Sequence, residues 1–310
     1  MDSLTEAWPA LAVDEWTPTR DTLHMWTQVI GKIRLERTPM VNHWWQVSLH
    51  VTPRGLTTTA TPHGRELFEV EFDFVDHQLL IRSTAGGQKS LRLEPKPVAE
   101  FYREVVAALQ QLDLPVSVRP VPVEVPRAIP FDQDHEHCSY VPEHARRFWR
   151  QLVAAHRVLG EFRSRFVGKS SPVHFFWGAM DLALTRFSGR EAPRHPGGAP
   201  NCGDWVMVEG YSHELSSCGF WPGGSAEGTF YAYAYPEPDG YAQAPVRPAA
   251  ARYDASLGEH VLPYADVRTA DDPEGTLLDF LQSTYEATAD AGSWDRQSLE
   301  DLPERRAAPR

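Results

Sequence analysis

Lysine is scarce in this 310-residue sequence: Lys32, Lys89, Lys96 and Lys169 are four of 30 basic residues, and the other 26 are arginine. That bias matches a GC-rich coding sequence better than an arginine-based mechanism. Positive charge is also short overall. A net charge of −12 argues against nucleic acid or an anionic membrane as the main partner, because phosphate binding needs a positive surface. Only three cysteines occur (Cys138, Cys202, Cys218), with no CxxC pair, which points away from a disulfide framework or zinc ribbon and toward a reducing cytoplasm. No run approaches the roughly 20 apolar residues of a membrane span. Met1 to Trp16 has neither the basic start nor the apolar core of a secretory signal. No GxSxG nucleophile elbow is present. Gly168-Lys169-Ser170 resembles the end of a phosphate-binding loop, but Arg163 stands where that motif needs glycine.

What is present is a pattern that occurs twice. Val29-Ile30-Gly31-Lys32-Ile33-Arg34 leads to His43-Trp44-Trp45, and Val158-Leu159-Gly160-Glu161-Phe162-Arg163 leads to His174-Phe175-Phe176. In each copy an amphipathic helix precedes the histidine, aromatic strands follow it, and a helix closes the unit. Leu23, Trp26, Ile30 and Ile33 form the first stripe from about Asp21; Phe148, Leu152, Leu159, Phe162 and Phe166 form the second, opened by Pro142. Strands are expected over 43–51, 68–74 and 79–82, then near 172–187, 207–221 and 228–235. Helices are expected over 97–112 and from Asp272-Pro273 onward. Five prolines between Pro115 and Pro130 mark a connector. The reading is α+β: two tandem related units, each an antiparallel sheet covered on one face by helices. Its boundaries are an N-terminal extension (1–19), a first unit (20–120), a linker with a polar loop (121–141), a second unit (142–292) and a loose tail (293–310).

The copies diverge in their outer faces. The 68–74 strand alternates Phe68, Val70, Phe72 and Phe74 with Glu69, Glu71 and Asp73, as a half-wet strand does. Its expected match, Thr229 to Tyr235, carries Tyr231, Tyr233 and Tyr235 on one side. Phe175, Trp177 and Asp181 are assigned to the outer face, with Phe176, Met180, Leu182 and Leu184 facing the helices. A tyrosine-rich face holding a carboxylate fits a pocket, and it fits internal packing against the first copy or the 236–260 excursion slightly better; the two can coexist.

Three further groups have functional and structural readings. His213 and Glu214, expected on one strand, point to opposite faces, so each could serve as acid–base group only with a neighbour. His174 has its counterpart in His43, which favours a role in the shared fold. His135 and His137 beside Cys138 are metal-ligand types, but adjacent loop side chains rarely converge; no metal site is assigned and these two are the minority candidates.

The stretch from Gly168 to Gly178, followed by Asp181-Leu182-Ala183, Thr185-Arg186-Phe187-Ser188-Gly189-Arg190, Tyr211-Ser212-His213-Glu214, Gly219-Phe220-Trp221-Pro222-Gly223 and Tyr231-Ala232-Tyr233-Ala234-Tyr235-Pro236, resembles the bacterial family known as domain of unknown function 5996. The resemblance covers most of the chain and implies no activity. It leaves Cys138 a poor ligand or nucleophile, because alanine is expected there.

Three functions follow, in order: small-molecule recognition in the second unit, with acid–base chemistry as an option; a protein-interaction module using the tyrosine face; and a metal-dependent hydrolase. His213, Glu214 and Asp181 are the acid–base candidates. Trp177, Tyr211, Tyr231, Tyr233, Arg186, Lys169 and His174 are the ligand-binding candidates. Cofactor and oligomeric state are left open.

Overall fold

The computed structural model describes residues 7–301. The first unit runs α1 (Val13–Arg37), β1 (His50–Val51), β2 (Gly55–Thr57), β3 (Thr61–His63), β4 (Glu66–Asp73), β5 (Gln78–Ser83), β6 (Gln88–Arg92) and α2 (Val98–Gln111). The second runs α3 (Pro142–Ser164), β7 (His174–Phe176), β8 (Asp181–Glu191), α4 (Asp204–Gly210), β9 (His213–Trp221), β10 (Thr229–Tyr235), β11 (Arg252–Asp254), β12 (Glu259–Pro263), α5 (Tyr264–Arg268), α6 (Pro273–Ala291) and α7 (Arg296–Leu299). Both sheets are antiparallel, ordered β1-β2-β4-β5-β6 with β3 also on β4, and β11-β12-β10-β9-β8-β7. The α+β reading and its two tandem units hold.

The sheets meet edge to edge. Leu49 and Phe175 exchange two backbone hydrogen bonds of 2.9 and 2.7 Å, so β1 continues into β7. This pairing satisfies edge groups that would otherwise be open to another chain. The helix side of the first sheet is built from Phe72 and Phe101 (6.4 Å), with Trp26 stacked on Phe101 at 4.6 Å. On the second, Phe175 packs on Phe148 of α3, and Phe220 and Phe230 pack on Tyr264. Sequence signals for helix starts are met: Asp272 accepts from Gly275 N at 3.0 Å, and Pro142 opens α3.

Several local expectations need correction. The 43–51 strand shrinks to 50–51; residues 42–44 form a 3₁₀ turn in which His43 (φ 55°) and Trp44 (φ 62°) are left-handed. Residues 204–210 are helical, so the strand expected from 207 begins at His213. In the second unit Trp177 to Met180 form a turn, with Met180 at φ 61°, and this resets the alternation. Phe175 therefore faces the helices with its partner Leu182, while Phe176 shares the opposite face with Asp181. Counted from the shared edge, β4 is third, as is β9; the tyrosine strand β10 is fourth, level with β5. The acids of β4 are not bare to water either: Arg82 pairs with Glu71 (3.0 Å) and Arg54 with Asp73 (2.6 Å). α1 starts at Val13 rather than near Asp21, and the extension before it packs Trp8 on Phe230 and Tyr264 of the second unit. The expected loose tail is anchored as far as 301, with Glu300 bridged to Phe166 and Trp294 buried; residues 302–310 lie outside the described residues.

The repeated glycines do different jobs. A Cβ on Gly31 would lie 2.2 Å from the Trp177 ring, whereas one on Gly160 meets nothing within 4 Å. The repeated arginines act alike: Arg34 Nε donates to the Gln46 carbonyl and Arg163 Nε to that of Ser171, each at 2.6 Å. Gly31→Ala should therefore destabilise by about 1–3 kcal/mol through overpacking. Gly160→Ala should instead stabilise by about 0.5–1 kcal/mol through helix propensity. Urea unfolding of both variants reads the two signs; equal effects would remove the proposed contact with Trp177.

Candidate functional site

The face of the second sheet turned away from α3 and α6 is roofed, and beneath the roof lies a cavity of about 950 Å³. Its floor is the pleated row that alternation assigns to one side: Phe176 of β7; Asp181, Ala183, Thr185 and Phe187 of β8; Leu215 and Ser217 of β9; Tyr231, Tyr233 and Tyr235 of β10; Glu259 and Val261 of β12. Its roof comes from elsewhere in the chain. α1 contributes Lys32 and Leu35, the 3₁₀ turn contributes His43 and Trp44, the connector contributes Arg119 to Glu124, and the 195–211 excursion contributes His195, Cys202 and Tyr211. Exposed Leu35, Trp205, Trp221 and Leu257 rim the opening.

Polar residues of α1 hold the roof. Gln28 and Val123 exchange hydrogen bonds of 2.8 and 2.9 Å, fixing the connector one residue before Glu124. Glu124 takes a left-handed φ of 60°, a costly conformation for a non-glycine residue, and its amide donates to Pro200 O at 2.7 Å. Its carboxyl then lies against Gly178, where any Cβ would be 2.2 Å away. His24 Nε2–H donates to the Gly178 carbonyl at 2.8 Å and the Trp177 carbonyl at 3.1 Å, which fixes its tautomer. Trp177 Nε1 donates to Val47 O at 2.8 Å. The excursion is tied down by Trp44 Nε1 donating to Val206 O (2.9 Å) and by Asn201 donating to Val125 O (2.8 Å).

On the floor, Tyr231 OH donates to Asp181 Oδ2, and the Tyr211 and Tyr233 hydroxyls lie 2.9 Å apart. Tyr231 and Tyr233 stack at 6.1 Å, and His195 lies 4.6 Å from Tyr211. Burial raises the Asp181 carboxyl to about 6 despite the Tyr231 hydrogen bond. Glu124 rises to about 7 by burial and the nearby Asp181 charge. Glu259 reaches about 7 through burial and the charges of Asp181 and Asp254. Burial also holds the phenols of Tyr231 and Tyr233 well above their ordinary range. Three of the carboxyls lining the enclosure thus hold their protons to higher pH than ordinary carboxyls, toward the range suited to general acid–base work. At the other end burial and the Arg119 charge lower Lys32 to about 8.

The sequence candidates divide cleanly. Asp181, Trp177, Tyr211, Tyr231, Tyr233 and His174 line the cavity. His174 is fully buried; Nδ1 meets Ser48 Oγ at 2.9 Å, Nε2 has no partner, and burial drops its pKa to about 3. Arg186 does not line it. Strand parity puts Arg186 on the helix side, its guanidinium 3.4 Å from the centre of Phe162 and 4.4 Å from that of Tyr285. Glu214 is engaged by Ser188 and Arg190 at the rim of β9, and His213 lies outside the lining with its ring 5.7 Å from His43. Lys169 sits behind the wall, Nζ 2.6 Å from His43 Nε2, which accepts because Nδ1–H donates to Gly210 O at 3.0 Å. Exposed His135 stands apart, and His137 pairs with Asp134 at 2.7 Å, whose other oxygen caps the turn through the amides of Glu136 and His137. Among the described residues no three His, Cys, Asp or Glu converge as a ligand set.

Sequence reasoning missed Glu124, Glu259 and Lys32. Glu259 had a usable signal, since it alternates with Val261 across His260. Glu124 had none, because the proline-rich connector carries no periodicity.

Glu124 makes the cavity's electrostatics measurable. Its unfolded value is the ordinary 4.5 and its folded value about 7. Below pH 4.5 both states hold the proton; as pH rises toward 7 the unfolded chain releases it first, so stability falls across that window. Because Glu124 is exposed along the cavity wall, solvent screening leaves only part of this effect: Glu124→Gln should raise unfolding stability by less than about 1 kcal/mol at pH 8 and leave it unchanged at pH 4. Equal effects at both pH values would show an unshifted carboxyl.

The model of a family of unknown function, DUF5996, matches residues 8–301 of the chain. No curated protein and no solved structure matches it.

Proposed function

The chain belongs to DUF5996, a family of unknown function, and from the cavity itself we propose that it recognises a small molecule over the second sheet, with acid–base chemistry available there. One observation carries this reading: Asp181, Glu124 and Glu259 line a single roofed space together with the rings of Phe176, Trp177, Tyr211, Tyr231 and Tyr233, and neither glutamate carboxyl takes a hydrogen bond from the described residues. Asp181 is buried and Glu259 half-buried, and enclosing a carboxyl costs stability that packing alone does not require. A few convergent polar groups in an aromatic enclosure is the usual form of a ligand site.

The competing reading, a docking face for another protein, requires open tyrosines. Tyr231 and Tyr233 are only partly accessible and lie under the connector and the 195–211 excursion. Net charge −12 supports a partner other than nucleic acid. No helix of the described residues is long and apolar enough to cross a membrane.

Native mass spectrometry of the purified protein is the direct test. A small molecule should be retained by the wild type and lost from Asp181→Asn, with Tm shifted by no more than a few degrees, since the substitution removes no core volume. Tyr233→Ala should cost about 2–5 kcal/mol if that ring is packing alone. A large loss there, with no molecule ever retained, would falsify the ligand reading.

A further inference from the structure

Lys32 is the one lysine that both lines the cavity and lacks a counter-ion among the described residues. It sits on α1, 7% exposed, with neither an ion pair nor a hydrogen bond, and Arg119 is close enough for its charge to act on the amine. Lys96 shows what this chain does with a buried ammonium that is purely structural: at 6% exposure it is paired with Glu104 at 2.8 Å and with Glu94 at 3.9 Å. Four carboxyls line the cavity (Glu124, Asp181, Asp254 and Glu259), yet none comes within ion-pairing distance of Lys32. Composition adds an independent argument. Where 26 of 30 basic residues are arginine, an anion-binding position would be met by guanidinium, which binds carboxylate and phosphate with two donors. What lysine offers and arginine does not is a lone pair at accessible pH.

Resting on the ligand reading above, we propose that Lys32 is a nucleophilic amine that captures a carbonyl compound, an aldehyde or ketone, as an imine inside the cavity. The neutral amine adds to the carbonyl carbon, forming a C–N bond while the carbonyl oxygen takes up a proton. The carbinolamine then loses its C–O bond, and water leaves as the nitrogen gives up its second proton. No oxidant or metal is needed. A desolvated amine beside a second cation is a recognised arrangement for this chemistry. The shift of Lys32 to about 8, caused by burial and then by Arg119, is in the direction the step requires.

Formaldehyde with sodium cyanoborohydride at pH 7 reads the amine directly, with labelling at each of the four lysines followed by peptide mass spectrometry. Lys32 should be alkylated at least about tenfold faster than the more exposed Lys89, the reverse of the order that exposure dictates, while Lys96 lags behind both. In Lys32→Arg the fast phase should vanish, with labelling of Lys89 unchanged and the fold intact by thermal melt. A molecule retained by wild type through a borohydride-trappable bond should leave Lys32→Arg as well, although the positive charge is kept. Labelling of Lys32 no faster than Lys96 overturns the proposal. If a small molecule still co-purifies and is lost in Asp181→Asn, only the imine chemistry has failed; if nothing co-purifies, the ligand reading fails with it.

Discussion

The burial of α1 between the two units is the constraint on which the rest of the structure depends. Its apolar stripe is only half of its work, since Trp26 stacks on Phe101 while its polar residues are also enclosed. Thr19 and Thr22 accept from the amides of Val141 and Ser139, Gln28 holds Val123, His24 holds the carbonyls of Trp177 and Gly178, and Arg34 holds that of Gln46. Each bond goes to backbone of a segment without regular structure. Irregular backbone buried in this way must be satisfied by side chains, and one helix supplies them for three walls of the cavity.

The chain treats charge differently on its two sheets. On the first, Glu71 and Asp73 are covered but matched by Arg82 and Arg54. Behind the second, Arg186 is packed among the rings of Phe162, Phe166 and Tyr285, with Nε left without a partner. Inside the cavity like charges are set together instead: Asp181 with Glu124 and Glu259, and Lys32 with Arg119. Such groupings lower stability and persist where they serve a site.

Much of the architecture was legible because it rests on local patterns. Helix stripes, the caps at Asp272 and Pro142, and the period of two in β10 are written in adjacent residues, and Tyr231, Tyr233 and Tyr235 share one side of β10 as the alternation implies. Two of the failures share one cause, a change of backbone hand that composition does not announce. His43 and Trp44 read as strand residues but are left-handed because Glu209 and Gly210, 166 and 167 residues away, hold His43 in place. The turn ending at left-handed Met180 breaks the alternation between β7 and β8 in the same way: the faces assigned in β8 hold, and those of Phe175 and Phe176 in β7 are exchanged. Arg186 was misplaced for a different reason: arginine on a core face contradicts every hydropathy rule, and only the three rings around it explain its position. Glu124 depends on a proline-rich connector meeting a turn across the molecule, a pairing no single stretch of sequence encodes.

The divided ownership of the cavity has a consequence for how the molecule responds to occupancy. The floor is the second sheet, while the roof is shared between the two units, with α1 and the 3₁₀ turn from the first and the 195–211 excursion from the second. Opening either unit therefore erases the enclosure, and the proposed ligand would have no affinity for a half-folded chain. Occupancy and integrity would then be one equilibrium, and a ligand at a hundred times its Kd would clamp both units together by about 2.7 kcal/mol. The second unit expressed alone would keep its tyrosines and lose the chamber they line.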